Sequence, residues 1–496
     1  MSESGGTPTA SGERRDAVLA FAIPFLLLVA FSSKAFHIDD THFLRMAQHI
    51  QEAPLDYFGY EIHWNGYVGR GYDTNYNPPG VAFLLALAGG IVGWNEVPLH
   101  ILFAAIAGLT SLGIYRLAQR FTPCPLLATA VTALTPGFIV SSATLMSDTP
   151  ALGLYVWGLH LWVSGIDTNR HARLIAAMLL IALCTLTKYF GVTALGLCAV
   201  YALVQRRALG SWGLYLLVPP AFLLVYSWHL LAVSGHRPLL CPRQFAVTVP
   251  GSRAAPLLQR LLIVVPYLGA MALPWALYLM IASPRSEARA LTVAFGAALV
   301  MGAVAGGFEI VRDYYGVGPG AAIPYLALAA VSGLVAVIAI ICAAKDVLAH
   351  RDAAAVVLAL WLFGCIAYAV AVAPILGARV LLPALTPMGL LFARRLEAAD
   401  NAHRYRYALA WAFTGLLAVS VLTADYIAAE RDRQAALHAA DIAESLNAPL
   451  FYYGTWGFQY YAEEAGAKPF FARQDAEGKR SYPLTPGSLI VIPQMY

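Results

Sequence analysis

Residues 17–50, AVLAFAIPFLLLVAFSSKAFHIDDTHFLRMAQHI, run from an apolar stretch into an acidic pair, Asp39 and Asp40, and on into a helical pattern. Ala17 to Ser33 is long and apolar enough to approach the roughly 20 residues that a hydrocarbon core about 30 Å thick demands. Beyond the pair, Phe43, Met46, Ala47 and Ile50 recur at i, i+3, i+4 and i+7, the spacing of an amphipathic helix. Such a helix next to a span is expected to lie on the membrane surface. Two adjacent carboxylates at the edge of a membrane segment are the least accidental chemistry in the chain.

Working outward, similar apolar runs fill the rest of the 496 residues, which are 59% hydrophobic and 12% charged, against about 25% charged in soluble domains. Only helices or closed barrels satisfy their backbone in lipid, and these runs lack the alternation of barrel strands. The fold class is therefore an all-α polytopic membrane protein. A net charge of +4 gives no sign of a nucleic-acid partner, and basic residues sit between the apolar runs as topology signals. The six cysteines form no CxxC motif and read as small buried hydrophobes.

Arg14 and Arg15 put the N-terminus in the cytoplasm by the positive-inside rule, so the first span runs outward and Asp39 and Asp40 are extracytoplasmic. No AxA-like cleavage site follows, so this span reads as an uncleaved anchor. Gly80 to Trp94 is short and is assigned as interfacial or re-entrant. The further spans are Val97–Gln119, Leu126–Ala143, Thr149–Gly165, Leu174–Thr187, Val192–Val204, Trp212–Val233, Leu261–Ala282, Leu291–Gly306, Ala321–Ala343, Ala354–Ala373, Val380–Ala393 and Tyr407–Ala424. This makes about 13 transmembrane helices with the C-terminus extracytoplasmic and the basic clusters inside.

The expected organisation is a disordered cytoplasmic tail over residues 1–16 and a transmembrane domain over 17–424, with a first outer loop at 34–79. A small extracytoplasmic α/β region follows over 425–496, where the composition turns charged and aromatic. Its elements are a helix over Tyr426–Leu446 and strands over Pro449–Tyr453 and Ser488–Ile492.

On this topology Asp39, Asp40, Asp148 in LMSDTP, Lys188 in LTKYFG and Arg379 in GARVLLPALTP share the outer face. Ionisable residues at membrane depth are costly and mark candidate sites. Asp39 and Asp40 have two readings, as a helix cap or as a pair in which one carboxylate is a general base and the other supports it. Asp148 is either a cap or part of the site. Lys188 either snorkels or joins Arg379 in binding a lipid phosphate. Tyr76 and Asn77, in the turn Asn75-Tyr76-Asn77-Pro78-Pro79, either redirect the chain or bind substrate. His37 beside the acidic pair matches no firm metal motif, so no cofactor is expected, although a divalent cation is possible. No phosphate-binding glycine loop is present, so an activated group would arrive on a lipid.

The order of these motifs resembles the GT-C superfamily of integral-membrane glycosyltransferases, in the branch of the protein O-mannosyltransferases and the lipid A aminoarabinose transferases. Asp39-Asp40 is similar to that branch's Asp-Glu motif and Asn77-Pro78-Pro79 to its His-Pro-Pro turn. Ser147-Asp148 is similar to its second-loop acid, Thr187-Lys188 to its Thr-Lys motif and Ala378 to Pro383 to its Arg-Tyr-Leu-Leu-Pro segment. Asp40 stands where the family has Glu, and Asn77 where it has His. The stretch Tyr453 to Tyr461, YGTWGFQYY, is similar to a C-terminal outer domain of some bacterial relatives.

The resemblance implies inverting transfer of a sugar from a polyprenyl-phosphate donor to a hydroxyl on a glycan, lipid or protein acceptor at the plasma membrane. Asp39 would be the base, Asp40 and Asp148 its support, and Lys188 and Arg379 the holders of the phosphate. A transporter or flippase of lipid-linked sugars is the alternative. A non-catalytic assembly subunit is a third class.

Overall fold

The computed structural model describes residues 10–64, 67–75, 77–207, 210–235, 256–309, 318–373, 376–397, 404–470, 473–474, 480–481 and 484–493. Tyr76, Cys241 and most of the outer loops Ser234–Gln259 and Gly307–Pro319 lie outside them. The described chain is predominantly helical. Among these residues seven helices are long and apolar enough to cross a membrane, or up to nine if each of two bent pairs is one span.

The bends have local causes. The run expected as one span over Leu126–Ala143 is two helices, Pro125–Ala133 and Pro136–Ser142, bent by 64°. Pro136 has no N–H to continue the first helix. Thr135 caps the second, its hydroxyl accepting from Phe138 N at 3.3 Å. Leu261–Ala282 likewise divides into Leu257–Met271 and Trp275–Ile281 at 69°, just before which stands Pro274. In the first of these, Gly269 lies so close to the helix Pro319–His350 that an added Cβ would sit 1.6 Å from the Ser332 carbonyl oxygen.

Val380–Ala393, also expected as one span, is a 3-10 turn over Ala378–Ala384 followed by a helix Leu385–Glu397. Pro383 lies inside the turn. The sequence places a boundary at Asp425, whereas one 42-residue helix runs from Arg404 to Ser445 without a break there. At 1.5 Å per residue it is roughly 60 Å long, about twice the hydrocarbon thickness. It ends beside a three-stranded parallel sheet, Leu450–Tyr452 between Lys468–Pro469 and Leu489–Val491.

Two apolar cores result. The larger fills the bundle around Trp162, Tyr155, Trp361 and Leu382. The smaller joins the first outer loop, the short helix Gly80–Val92 and the tail. The helix Asp40–Glu52 therefore does not lie bare on a membrane surface. Phe43, Met46, Ala47 and Ile50 are buried in this second core, and Gln51 donates to Ala86 O at 2.7 Å. Removing their apolar surface from solvent, at about 25 cal/mol per Å², fixes the face of the helix and hence the direction of its acidic N-terminus.

Candidate active site

Asp39 occupies the cap position of helix Asp40–Glu52, yet its side chain makes no capping bond. Its carboxylate instead accepts from Arg379 Nη2 at 2.5 Å, and both side chains remain partly accessible. Asp40 does the opposite. It is fully buried and accepts from two backbone amides, His37 N at 3.0 Å and Leu145 N at 2.7 Å. Burial pushes its carboxyl up to about 6, against the pull of the Lys34 cation and of those two N–H groups. The pair is thus divided between an accessible, cation-held carboxylate and a buried one that ties the first loop to the second.

The point of attachment is the turn Leu145–Asp148, between helices Pro136–Ser142 and Asp148–Thr168. Leu145 N holds Asp40, the Met146 sulfur lies against Arg379, and the Asp148 carboxylate pairs with Lys188. Asp148 stands in the first turn of its helix, and Lys188 directly follows the last residue of helix His171–Thr187. Each charge is therefore at the helix end whose dipole favours it. Arg379 opens the 3-10 turn that replaces a full span, which is how it reaches Asp39 from 340 residues away.

Lys188 and Arg379, expected to hold a lipid phosphate together, stand in two neighbouring ion pairs. Each cation has its own carboxylate, and the two pairs meet through the four residues Leu145–Asp148. Asn77 sits in a side-chain turn, its N and Nδ2 donating to Asn75 Oδ1 at 3.0 and 3.3 Å. The same turn abuts the Lys188 region, because a Cβ on Gly80 would lie 2.6 Å from Thr187 Oγ1 and 2.7 Å from Leu186 O. Tyr76 is outside the described residues.

Beside this cluster lies an apolar groove of about 880 Å³, within the range of small-ligand cavities. Its lining includes Thr187, next in the chain to Lys188, and Pro150, two residues after Asp148, together with Tyr57, Phe83, Phe222 and Tyr226. These aromatic residues are not singled out by the sequence, since apolar residues are everywhere and nothing in the pattern says which ones are left uncovered. Lys34 is also missed there. It is fully buried, paired with Asp425 and donating to Ala143 O at 3.2 Å. A lysine on the side expected to be extracytoplasmic, against the positive-inside trend, was the available signal.

Among the described residues no three His, Cys, Asp or Glu side chains come together as metal ligands. His42 is buried, which lowers it to about 4 against the opposing pull of Asp39. His37 Nδ1 faces Asp432 Oδ2 at 3.5 Å.

Comparison with known proteins bears on the same elements. A family model described as dolichyl-phosphate-mannose-protein mannosyltransferase matches residues 76–231, which include Asn77, Asp148 and Lys188 but not Asp39 or Arg379. No curated protein matches the chain. Among solved structures, ArnT from Cupriavidus metallidurans bound to undecaprenyl phosphate is 16% identical, with a TM-score of 0.45 over 92% of this chain and 85% of that one. The archaeal oligosaccharyltransferase AglB from Archaeoglobus fulgidus, in complex with an inhibitory peptide and a dolichol-phosphate, is 15% identical. Its TM-score is 0.48, over 92% of this chain and 64% of AglB. Likenesses this remote assign no residue a role. Residues 76–231 carry the pattern of the mannosyltransferase family, and the chain resembles the GT-C superfamily of integral-membrane glycosyltransferases.

Proposed function

We propose that this protein transfers a sugar from a polyprenyl-phosphate donor to an acceptor hydroxyl on the extracytoplasmic side of the plasma membrane, with inversion at the sugar carbon. The observation that carries the proposal is the apolar groove whose lining includes Thr187, next in the chain to Lys188, and Pro150, two residues from Asp148, the two partners of one ion pair. A polyprenyl tail needs an apolar bed, and its phosphate needs a cation at the end of that bed.

In this reading Asp39, ionised and held by Arg379, takes the proton from the acceptor hydroxyl as its oxygen attacks the sugar carbon. The bond from that carbon to the phosphate oxygen breaks, and the electron pair leaves on the lipid phosphate. Lys188, oriented by Asp148, and Arg379 offset the charge that develops there. Asp40 supports Asp39 by fixing its helix against Leu145. Asn77, on the turn that abuts Thr187, is a substrate contact. No metal is given a step.

The same reading keeps about 13 crossings, counting short and broken segments, with the N-terminus cytoplasmic and the residues after 425 an outer unit. Arginine pairs at the opposite end of the bundle support that orientation, among them Arg394 with Asp346 at 3.0 Å and Arg120 with Asp167 at 3.8 Å. The acceptor is a glycan, lipid or protein.

The test is mass spectrometry of envelope lipids, glycans and proteins from wild-type and deletion cells. The proposal expects one sugar modification to vanish on deletion. Identical envelopes would overturn it, and so would purified protein that moves labelled lipid-linked sugar across liposomes without transferring it.

A further inference from the structure

The aromatic stretch Tyr453–Tyr461 has no part in the chemistry above, yet it grips the backbone just before Asp39. Tyr461 Oη accepts from Phe36 N at 2.8 Å and donates to Glu96 at 2.7 Å. The Phe36 ring packs between Tyr461, Tyr460 and His100, with centroids 5.2 to 6.5 Å apart. Gly457 presses directly on the same segment. A Cβ there would lie 2.3 Å from Phe36 O and 3.4 Å from His37 Cα, so only glycine permits this approach.

Both sides of the contact hold unusual backbone. Ile38, between Phe36 and Asp39, has φ +48°, and Trp456, before Gly457, has φ +64°. For a β-branched or bulky residue that region is strained, and it persists only where the surroundings impose it. On the Asp40 side those surroundings are the turn His37–Asp40, and on the Phe36 side they are the tail. Two ion pairs close the contact around its edge, Lys34 with Asp425 and Arg45 with Glu463, and His37 Nδ1 lies 3.5 Å from Asp432 Oδ2.

The geometry points to a positioning role for the tail: Tyr461 and Gly457 clasp Phe36–Ile38 in the strained path that aims the Asp39 carboxylate at Arg379. Neither residue touches the reacting groups. They act through the backbone of the first loop, so the tail is a working part of the site. The consequence for turnover rests on the transferase reading, whereas the clasp itself does not.

The experiment uses the full-length protein in lipid nanodiscs, with Tyr461→Phe and Gly457→Ala compared with wild type. Tyr461→Phe keeps the ring and removes only the hydroxyl. Hydrogen exchange of the amides in residues 34–42 is expected to quicken at least fivefold in both variants, with helix Leu257–Met271 unchanged. Binding of undecaprenyl phosphate is expected to stay within twofold, because Lys188 and the groove are not gripped by the tail. Turnover of the product found in the envelope comparison is expected to fall about tenfold in kcat, with the donor KM held.

Unchanged exchange over residues 34–42 would overturn the clasp, as would exchange that rises equally along the chain. Faster local exchange with wild-type kcat would overturn the positioning role. If wild-type and deletion envelopes are identical, the transferase reading fails while the exchange measurement still decides the clasp.

Discussion

The two ends of the helical bundle are both rich in ion pairs, and they use them differently. At one end, Arg394 pairs with Asp346 at 3.0 Å and Asp352 at 3.2 Å and donates to Phe121 O at 2.8 Å. Arg120 reaches Asp167, and Arg206 caps the carbonyl of Ile166. These contacts tie helix ends to one another. At the other end, Asp39–Arg379 and Asp148–Lys188 converge on one four-residue turn beside an apolar groove. Charge at a helix end is ordinary; convergence beside a cavity is why the second set is proposed as the site of chemistry.

That contrast breaks if the two sets respond alike to mutation. Arg394→Ala removes the partner of two carboxylates, and the Arg394 and Asp346 side chains are about nine-tenths buried. Loss of one member of such a pair is expected to cost about 3–5 kcal/mol of stability. Thermal unfolding in detergent checks this, and the folded fraction is expected to keep its transfer rate. Lys188→Ala is expected to weaken undecaprenyl phosphate binding roughly 10- to 100-fold, the worth of one charge-assisted contact. It also leaves the buried Asp148 carboxylate without its cation, so binding is compared per folded molecule.

Asp40 sharpens the comparison, because it is a buried acid at the Asp39–Arg379 end with a structural task. Its carboxyl titrates near 6 in the fold against an ordinary value of 3.8. A raised folded value means that the fold binds the proton more tightly. The stability from that proton is fully present below about 3.8 and is lost as pH rises through about 6. Asp40→Asn removes this dependence. The loss in unfolding temperature relative to wild type should therefore shrink between pH 4 and pH 7, and a constant difference would contradict the assignment.

The smallest effect belongs to the groove. Val225 lines it and is 65% exposed, so Val225→Trp is expected to narrow the bed with little strain. It should weaken undecaprenyl phosphate binding about fivefold, on the order of 1 kcal/mol, while leaving unfolding unchanged.

How much of this was legible in the sequence differs by kind of interaction. Asp39, Asp40, Asp148, Lys188 and Arg379 stood out because charge is rare in an apolar chain and each sits where two runs meet. The buried face Phe43, Met46, Ala47 and Ile50 was legible because helical spacing is local. Which charge pairs with which was not, since Asp39 and Arg379 are 340 residues apart and no local pattern fixes a distance across the fold. Breaks at Pro136 and Pro274 had visible punctuation, but average hydropathy smoothed over it. The grip of Gly457 on Phe36 left only a glycine among 41, and its meaning appears only when two backbones are seen to meet.

The account's central claim is that Asp39 is the base, distinct from the residues that hold the donor. Its most direct test supplies deletion cells with wild-type or Asp39→Asn protein and quantifies the missing envelope modification by mass spectrometry. Undecaprenyl phosphate binding is measured on the purified proteins in parallel. The account predicts membrane levels and binding within twofold of wild type, with transfer lowered roughly 100- to 10,000-fold, the range for loss of a general base. Transfer at the wild-type rate by folded Asp39→Asn protein would contradict it.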